Sequence, residues 1–248
     1  MGSFRNIFHK EKSLASIDFS QLSADMHSHL IPGIDDGSKT LEESIEIIKG
    51  LSNLGYKKII ITPHVISDLY RNTNEKILAG FNTLQDAIEK ENISVKLGVS
   101  AEYLVDFEFE EKAKKKDLLP FGDQYILIEL SYMNPPENLK SIIFDLHVDG
   151  YKVILAHPER YAYWHNDFKA YEDLKDRGVF FQINILSLSG HYSPGPKKIA
   201  QKLIDAEMVN FAGTDIHNNN AIPLLKATAN NKYFEKLFNS GKLLNNTL

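Results

Sequence analysis

Short apolar runs, rich in β-branched residues, alternate seven times along this chain with longer amphipathic segments. The predicted strands are residues 22–27, 58–62, 94–99, 125–130, 152–156, 179–183 and 208–212. Several are apolar almost throughout, as strands covered on both faces must be. Strands that alternate with helices pair in parallel through right-handed crossovers, and seven such units favour a barrel over an open sheet.

The segments between the predicted strands are long enough for helices. The clearest helix begins at a capping box, Thr40 to Glu43, and ends at Gly55. Further helices are predicted within residues 74–91, 136–150, 167–178, 196–206 and 221–238. Because no linker rich in Gly, Pro or Ser divides the chain, we predict an α/β fold with one domain. That domain is a distorted TIM-like (β/α)7 barrel over residues 22–248, preceded by a polar N-terminal extension, residues 1–21.

Composition excludes several classes of function. The net charge of −5 and the pI near 6.0 give no global attraction for nucleic acid, so no nucleic-acid partner is expected. The chain contains no cysteine, which removes disulfides, thiolate metal sites and a cysteine nucleophile. We see no signal peptide and no apolar stretch of roughly 20 residues that would span a membrane, so a cytoplasmic location is expected.

Metal-binding side chains follow six of the seven predicted strands. Barrel enzymes place their chemistry at the carboxyl ends of the strands, where these residues lie. The first strand ends in Asp25-Met26-His27-Ser28-His29, and residues two apart on an extended chain point to the same side. The candidates are His27, His29, His64, Glu102, Glu129, His157, Asp215 and His217. Because an unpaired buried carboxylate is costly, Glu102 and Glu129 indicate bound cations.

Other polar residues near these strand ends allow two interpretations. Asp36 lies in an Asp-Gly sequence typical of a turn, but we favour it as a metal ligand. Arg160 suits either a phosphate or a surface salt bridge. Tyr161, Tyr163 and Trp164 suit stacking on a substrate ring or, as we favour, ordinary packing. The remaining histidines, which we assign to surface or loop roles, are His9, His147, His165 and His191.

The ordered motifs resemble those of the polymerase and histidinol phosphatase (PHP) superfamily, whose first motif is Asp-x-His-x-His. The chain is most similar to the branch of bacterial tyrosine-protein phosphatases from capsule and exopolysaccharide operons. The motifs that carry this resemblance span roughly residues 24–217. They are Asp25–His29 with its continuation to Thr40, Thr62-Pro63-His64, Ala156-His157-Pro158-Glu159-Arg160, Gln182–Ser187 and Thr214-Asp215-Ile216-His217.

The resemblance implies three divalent cations, with Mn as the first choice and Fe, Zn or Co as alternatives. It assigns His27, His29, Glu102 and Asp215 to the first cation. The second shares Glu102 and adds Glu129 and His157, and the third uses Asp36, His64 and His217. The predicted catalytic residues are Arg160, which would contact the phosphate, together with Asp36 and His64.

The activity that the resemblance implies is hydrolysis of phosphotyrosine by a metal-activated hydroxide. The implied partner is the phosphorylated tail of a bacterial tyrosine kinase of polysaccharide biosynthesis. Three candidates for the general acid remain, namely Asp35, a metal-bound water and a ligand histidine. In one respect the chain departs from the family pattern: a second arginine usually follows the last histidine, but this chain has Asn218-Asn219-Asn220 there.

Three other functions are compatible with parts of the sequence. A small-molecule phosphomonoesterase of the histidinol-phosphate type would use the same metal ligands, although the Pro32–Gly37 loop argues against it. A proofreading nuclease should have a basic groove, which the acidic composition disfavours. A non-catalytic binding module stabilised by metals would need closed sites, to which a carboxylate-rich cluster is poorly suited.

Overall fold

The structure is a computed structural model that describes residues 18–248, and every strand pairing between its named strands is parallel. One sheet has the order β1-β2-β4 and the other the order β3-β5-β6-β7-β8-β9. The strands are β1 (Ala24–Asp25), β2 (Lys58–Ile61), β3 (His64–Val65), β4 (Lys96–Val99), β5 (Glu102–Leu104), β6 (Tyr125–Glu129), β7 (Lys152–Ala156), β8 (Phe180–Asn184) and β9 (Val209–Gly213).

Helices follow most of the strands, as parallel pairing requires. They are α1 (Leu41–Leu54), α2 (Asn74–Lys90), α3 (Phe107–Lys114), α4 (Leu139–Val148), α5 (Phe168–Asp176), α6 (Pro194–Asp205), α7 (Ala221–Thr228) and α8 (Lys232–Asn239). The prediction of an α/β fold with parallel strands is therefore confirmed. None of the helices within residues 18–248 is both long and apolar enough to cross a bilayer.

Each predicted strand region contains a strand, but two regions continue into a second one. After β2 the chain passes Pro63 and forms β3, and after β4 it passes Ser100 and Ala101 and forms β5. These two segments run from the smaller sheet into the larger one. A single parallel bridge between Ser28 and Ile216 joins the segments that follow β1 and β9. Strand pairing within the described residues does not form one continuous ring, so barrel closure stays a prediction.

Two helix predictions were wrong in detail. Helix α3 was missed because its sequence is mostly charged. It is capped by Asp106, whose side chain accepts a hydrogen bond from the Phe109 amide. The single helix predicted over residues 221–238 is two helices, α7 and α8. The break lies at Asn231, whose side chain caps α8 by accepting hydrogen bonds from the amides of Tyr233 and Phe234.

The strands separate two apolar clusters. Ile59 and Ile61 of β2 and Ile126 and Ile128 of β6 belong to the large cluster that also contains the apolar faces of the helices. The residues between them, among them Ile60 and Leu127, belong to a smaller cluster with Met26, Ile154 and Phe211. Since successive side chains of a strand point to opposite faces, the smaller cluster fills the side of the strands away from the helices.

The predicted N-terminal extension, residues 1–21, lies mostly outside the described residues. Its last part, Phe19–Gln21, is a 3-10 helix that follows the capping residue Asp18. Phe19 is buried, with its ring centroid 5.4 Å from that of Tyr56 and 5.5 Å from that of Phe234. This residue is thus part of the folded core, while the domain boundary at residue 21 stays a prediction.

A buried asparagine links the first and last strands through side-chain hydrogen bonds. The Asn245 amide donates to the carbonyls of Ala24 and Ala212, at 2.9 and 2.7 Å, and its oxygen accepts from the Ala212 amide at 3.0 Å. Ala24 is in β1 and Ala212 in β9. Because Asn245 is only 1% exposed, water cannot replace these hydrogen bonds.

We predict that Asn245→Ala lowers the free energy of unfolding by about 1–3 kcal/mol, because it leaves buried backbone groups without partners. Chemical denaturation, followed by circular dichroism, measures this change. Asn246→Ala is the matched control, since Asn246 is exposed and its substitution should change stability by less than about 0.5 kcal/mol. Equal stability of the two variants would contradict the role assigned to Asn245.

Candidate metal centre and active-site cleft

The predicted metal ligands meet at one edge of the sheets, where six of the nine line a cavity of about 760 Å³. Glu102 follows β4 and begins β5, Glu129 ends β6, and His157 and Asp215 closely follow β7 and β9. The carboxyl ends of parallel strands lie at the same edge, which is why residues far apart in sequence converge here. The cavity is lined by Asp36, His64, Glu129, His157, Arg160, Asp215 and His217 among others.

The carboxylate of Glu102 lies at the centre of this cluster. Its Oε2 atom is 3.1 Å from His27 Nε2, 3.4 Å from His29 Nε2 and 3.1 Å from His64 Nδ1. Its Oε1 atom is 2.9 Å from His157 Nε2. Glu102 is fully buried, so this charge is stabilised only by the groups that surround it.

Three groups of side chains bring their ligand atoms within 4.8 Å of one another. His27, His29, Glu102 and Asp215 form the first group, which has the same members as the first predicted ligand set. The second group is His64, Glu102 and Glu129, and the third is His29, Asp36, His64 and His217. In this grouping, His64 stands beside Glu129 where the prediction has His157, and His29 also joins the third group.

Two neighbouring buried atoms of the cluster lack hydrogen-bond partners among residues 18–248. Glu102 Oε2 and His64 Nδ1 are buried and have no hydrogen-bond partner within the described residues, although they lie 3.1 Å apart. His27 Nε2 and His29 Nε2 are 3.2 Å apart. Imidazoles and carboxylates that converge in this way, with buried atoms left unsatisfied, suit divalent cations such as Mn, Fe, Zn or Co.

Two residues outside the cluster set the orientation of the first two imidazoles. His27 Nδ1 lies 2.9 Å from Gln182 Oε1, and His29 Nδ1 lies 2.9 Å from Asp35 Oδ2. Because both oxygens are acceptors, each Nδ1 carries the proton and each Nε2 faces the cluster. This is the tautomer in which a neutral imidazole ligates a metal through Nε2.

Asp35 also fixes the loop that carries Asp36. Its side chain accepts hydrogen bonds from the amides of Gly37, at 2.9 Å, and His64, at 3.1 Å. Position 37 has to be glycine, because a Cβ atom there would overlap the carbonyl group of His29. The Asp-Gly sequence is thus a turn, as one interpretation held, and it also places Asp36 Oδ1 3.5 Å from His64 Nε2 and 3.4 Å from His217 Nε2.

The charges of the cluster shift one another's pKa values. Burial disfavours the His27 cation, but the adjacent Glu102 and Asp215 outweigh burial and raise the pKa of His27 to about 9. Burial likewise disfavours the anions of Glu102 and Asp215, yet the facing imidazoles hold the pKa of each carboxyl well below its usual range. A metal ion that binds here therefore displaces protons from histidine.

Arg160 joins the cluster through Asp215. Its Nη1 atom donates to Asp215 Oδ2 at 3.1 Å, and the Nδ2 atom of Asn184 donates to the same oxygen at 2.7 Å. The other oxygen, Oδ1, faces His27 at 3.4 Å and His29 at 3.3 Å. Arg160 thus forms a salt bridge, as one interpretation held, and it also lines the cavity, while its contact with a phosphate stays a prediction.

The aromatic residues after Arg160 do not line the cavity. Tyr161 is fully buried and its hydroxyl binds the Ala156 carbonyl and the Leu130 amide, while Trp164 packs edge-on against it. Packing is thus the correct interpretation for these residues. The cavity walls come instead from other apolar and aromatic side chains: Ile66, Leu69, Tyr70, Leu104, Leu130, Tyr132, Leu186, Tyr192 and Leu224.

Sequence reasoning missed the contribution of the sixth predicted strand. That strand delivers neither histidine nor carboxylate, but Gln182 and Asn184 of β8 hydrogen-bond His27 and Asp215. Two amides spaced two residues apart near a strand end were the signal for this role, since they share a face. His191, which we assigned to a surface or loop role, is exposed and lies at the cavity wall.

Similarity to known proteins agrees with this geometry. Residues 23–243 match the family described as capsular polysaccharide synthesis, CpsB/CapC. The chain belongs to this family. CpsB/CapC relatives include the tyrosine-protein phosphatase YwqE of Bacillus subtilis, 30% identical over 195 residues, which cover 78% of this chain and 77% of YwqE. The putative tyrosine-protein phosphatase CapC of Staphylococcus aureus is 29% identical, with 89% of this chain and 90% of CapC covered.

A solved structure is also similar to this CpsB/CapC chain. It is one of the crystal structures of YwqE from Bacillus subtilis and CpsB from Streptococcus pneumoniae, which are described as metal-dependent tyrosine phosphatases. The TM-score is 0.77 at 28% sequence identity, and the match covers 83% of this chain and 84% of the other. The fold described above is therefore that of the CpsB/CapC family.

We predict that Asp35→Ala weakens Mn²⁺ binding by about 10- to 100-fold, because it removes the acceptor that orients His29 and the loop carrying Asp36. Titration of metal-stripped protein, with free Mn²⁺ measured by electron paramagnetic resonance, gives the affinity. Asp68→Ala is the matched control, since Asp68 is exposed. If both variants bind Mn²⁺ as the wild type does, Asp35 has no role in the metal centre.

Proposed function

We propose that this chain is a metal-dependent protein-tyrosine phosphatase, a phosphoric monoester hydrolase that does not use cysteine. The observation that carries this proposal is the buried cluster of imidazoles and carboxylates on the floor of an open cleft that also contains Arg160. The CpsB/CapC relatives YwqE and CapC are named tyrosine-protein and putative tyrosine-protein phosphatases, which supports the same activity. PHP superfamily membership is part of the proposal.

The metal centre that we propose holds three divalent ions, with Mn as the first choice. The ligands of the first ion are His27, His29, Glu102 and Asp215. Glu102 is shared with the second ion, whose other ligands are Glu129 and His157, and the third ion is held by Asp36, His64 and His217. The unsatisfied buried atoms of Glu102, His64 and His157 support such a centre.

Divalent ions bound at such a centre supply Lewis acidity and lower the pKa of a water molecule to about 7. The positive charge of three divalent ions would exceed the negative charge of the four ligand carboxylates, and this excess suits a phosphate dianion. Arg160 binds and orients that phosphate through the guanidinium N–H groups that Asp215 leaves free. A protein nucleophile is not needed, in keeping with the absence of cysteine from the sequence.

The shape of the cleft suits an aromatic phosphate ester. Its floor is polar, whereas Ile66, Leu104 and Leu130 provide apolar wall surface beside His64 and Glu129. A phenyl ring held against that wall places its phosphate at the polar floor. Leu69, which also lines the cleft, is 73% exposed, so this wall of the cleft reaches the protein surface. The walls exclude water from the ring and orient the ester oxygen.

Several finer parts of the proposal rest on the family resemblance and on the fold. We infer that the strands form one distorted (β/α)7 barrel, supported by the Ser28–Ile216 bridge and by the enclosed cluster around Met26. The proposed partner is the phosphorylated tail of a bacterial tyrosine kinase of polysaccharide biosynthesis. The family description, capsular polysaccharide synthesis, supports this choice. A cytoplasmic location stays a prediction.

The alternative activity is that of a small-molecule phosphomonoesterase of the histidinol-phosphate type. It would use the same cluster and the same arginine, so only the substrate separates the two activities. A non-catalytic module in which metals stabilise the fold needs no cleft above the metals and no arginine beside them. The cavity of about 760 Å³ therefore favours catalysis over that module.

We predict Mn²⁺-dependent release of phosphate from a phosphotyrosine peptide, with little or none from histidinol phosphate. His157→Ala should reduce this rate at least about 100-fold, because losing a ligand costs more than losing an outer hydrogen bond. His147→Ala is the matched control, since His147 lies on α4 and does not line the cavity, and it should keep the wild-type rate. Phosphate release measured with metal-stripped and Mn²⁺-loaded protein tests each point.

Two results would change the assignment. Faster turnover of histidinol phosphate than of the peptide would favour the small-molecule phosphatase. Absence of turnover with either substrate, in protein shown by metal analysis to contain Mn²⁺, would favour a different phosphoester or the non-catalytic module.

A further inference from the structure

Two tyrosine rings contact the guanidinium group of Arg160 at the cleft wall. The Cζ atom of Arg160 lies 5.0 Å from the ring centroid of Tyr132 and 4.4 Å from that of Tyr192. Tyr132 follows β6 and Tyr192 precedes α6, so the two rings come from different loops. A guanidinium this close to an aromatic ring is attracted by the ring's electron-rich face. We call Tyr132 and Tyr192 the aromatic bracket.

The guanidinium is also anchored at one nitrogen only. Nη1 binds Asp215, whereas the other N–H groups of Arg160 form no hydrogen bond within residues 18–248. The side chain is nevertheless only 25% exposed and lines the cleft. A guanidinium has five donors in one plane, and a phosphate accepts a pair of them side by side. The aromatic bracket and Asp215 thus leave the remaining donors available to an anion in the cleft.

Contacts with residues of the metal centre fix the position of each ring. The Tyr132 ring stacks on His157, with centroids 6.0 Å apart and planes 18° from parallel. The Tyr192 hydroxyl accepts a hydrogen bond from Asn184 Nδ2 at 3.2 Å, and the same amide group binds Asp215. Both rings are therefore placed by the same residues that place the cluster, and neither depends on Arg160 alone.

We propose that Tyr132 and Tyr192 are positioning residues that hold Arg160 extended, with its free N–H groups toward the substrate phosphate. This inference rests on the proposed phosphatase function. A free arginine side chain has many rotamers and loses that freedom when it binds an anion. The aromatic bracket restricts the rotamers of Arg160 before the substrate binds, so that binding costs less conformational entropy. Its loss should therefore weaken phosphate binding and raise KM more than it changes kcat.

The first test observes Arg160 without any substrate. The Nε–Hε resonance of Arg160 should differ from that of the exposed Arg177, because aromatic rings shift nearby proton signals. Arg160→Lys identifies the signal by removing it. Tyr132→Leu and Tyr192→Leu should each move the signal toward that of Arg177.

Tyr70→Leu is the matched control for that spectrum, since Tyr70 also lines the cleft but stacks on His64 rather than on Arg160. It should leave the Arg160 signal where it is. An Arg160 signal that stays unchanged in both Tyr132→Leu and Tyr192→Leu would overturn the proposal.

The second test measures KM for a phosphotyrosine peptide and the inhibition constant of inorganic phosphate. Tyr132→Leu and Tyr192→Leu should raise both about 5- to 20-fold and change kcat less than about 3-fold, the range expected for loss of one binding contribution. Tyr132→Phe and Tyr192→Phe keep the rings and should restore most of the binding.

A double-mutant comparison separates positioning from direct contact. With Arg160→Lys already present, each Tyr→Leu substitution should change KM less than about 2-fold, because the side chain that it positions is gone. An undiminished effect in that background would mean that the tyrosines touch the substrate themselves, and the positioning role would be wrong. If the wild type hydrolyses no phosphotyrosine, the proposed function fails, while the resonance of Arg160 still decides whether the aromatic bracket holds it.

Discussion

The buried carboxylate of Glu102 and the imidazoles around it determine how the rest of the site is arranged. A carboxylate without solvent is tolerated only when positive charge lies beside it, either protonated histidine or a bound cation. His27, His29, His64 and His157 reach Glu102 from segments that follow three different strands, β1, β2 and β7. The order of the strands therefore brings the four imidazoles to the Glu102 carboxylate. The cleft forms above the point where those strands end.

The sequence predicted the strands, the edge at which they end and the residues that gather there. These follow from the alternation of apolar runs with amphipathic segments and from the geometry of parallel strands. It did not predict α3, whose charged sequence has little apolar periodicity, or the break at Asn231. The neighbours of His64 and the placement of Tyr132 and Tyr192 depend on loop conformations. Such conformations are set by individual contacts, for which a sequence has no periodic signal.

Asp215 connects two parts of the site that have different tasks. One of its oxygens faces the imidazoles, and the other binds Arg160 and Asn184. The arginine of the proposed phosphate site is thus held by a carboxylate that also faces the histidine cluster. Gln182 and Asp35 have a related role, since they bind the far sides of His27 and His29 and fix which nitrogen faces the cluster. The hydrogen bonds from residues outside the cluster therefore fix the orientation of the side chains within it.

The backbone at the site carries conformational strain. His157, with φ of 34°, and Asp215, with φ of 51°, are in the left-handed region that favours glycine. Such conformations cost on the order of 1–3 kcal/mol each and persist only where the surrounding structure imposes them. Glycine at either position would relieve the backbone, but it would also remove a side chain that faces the cluster. The folded chain therefore gives up part of its stability to keep an imidazole and a carboxylate at these two points.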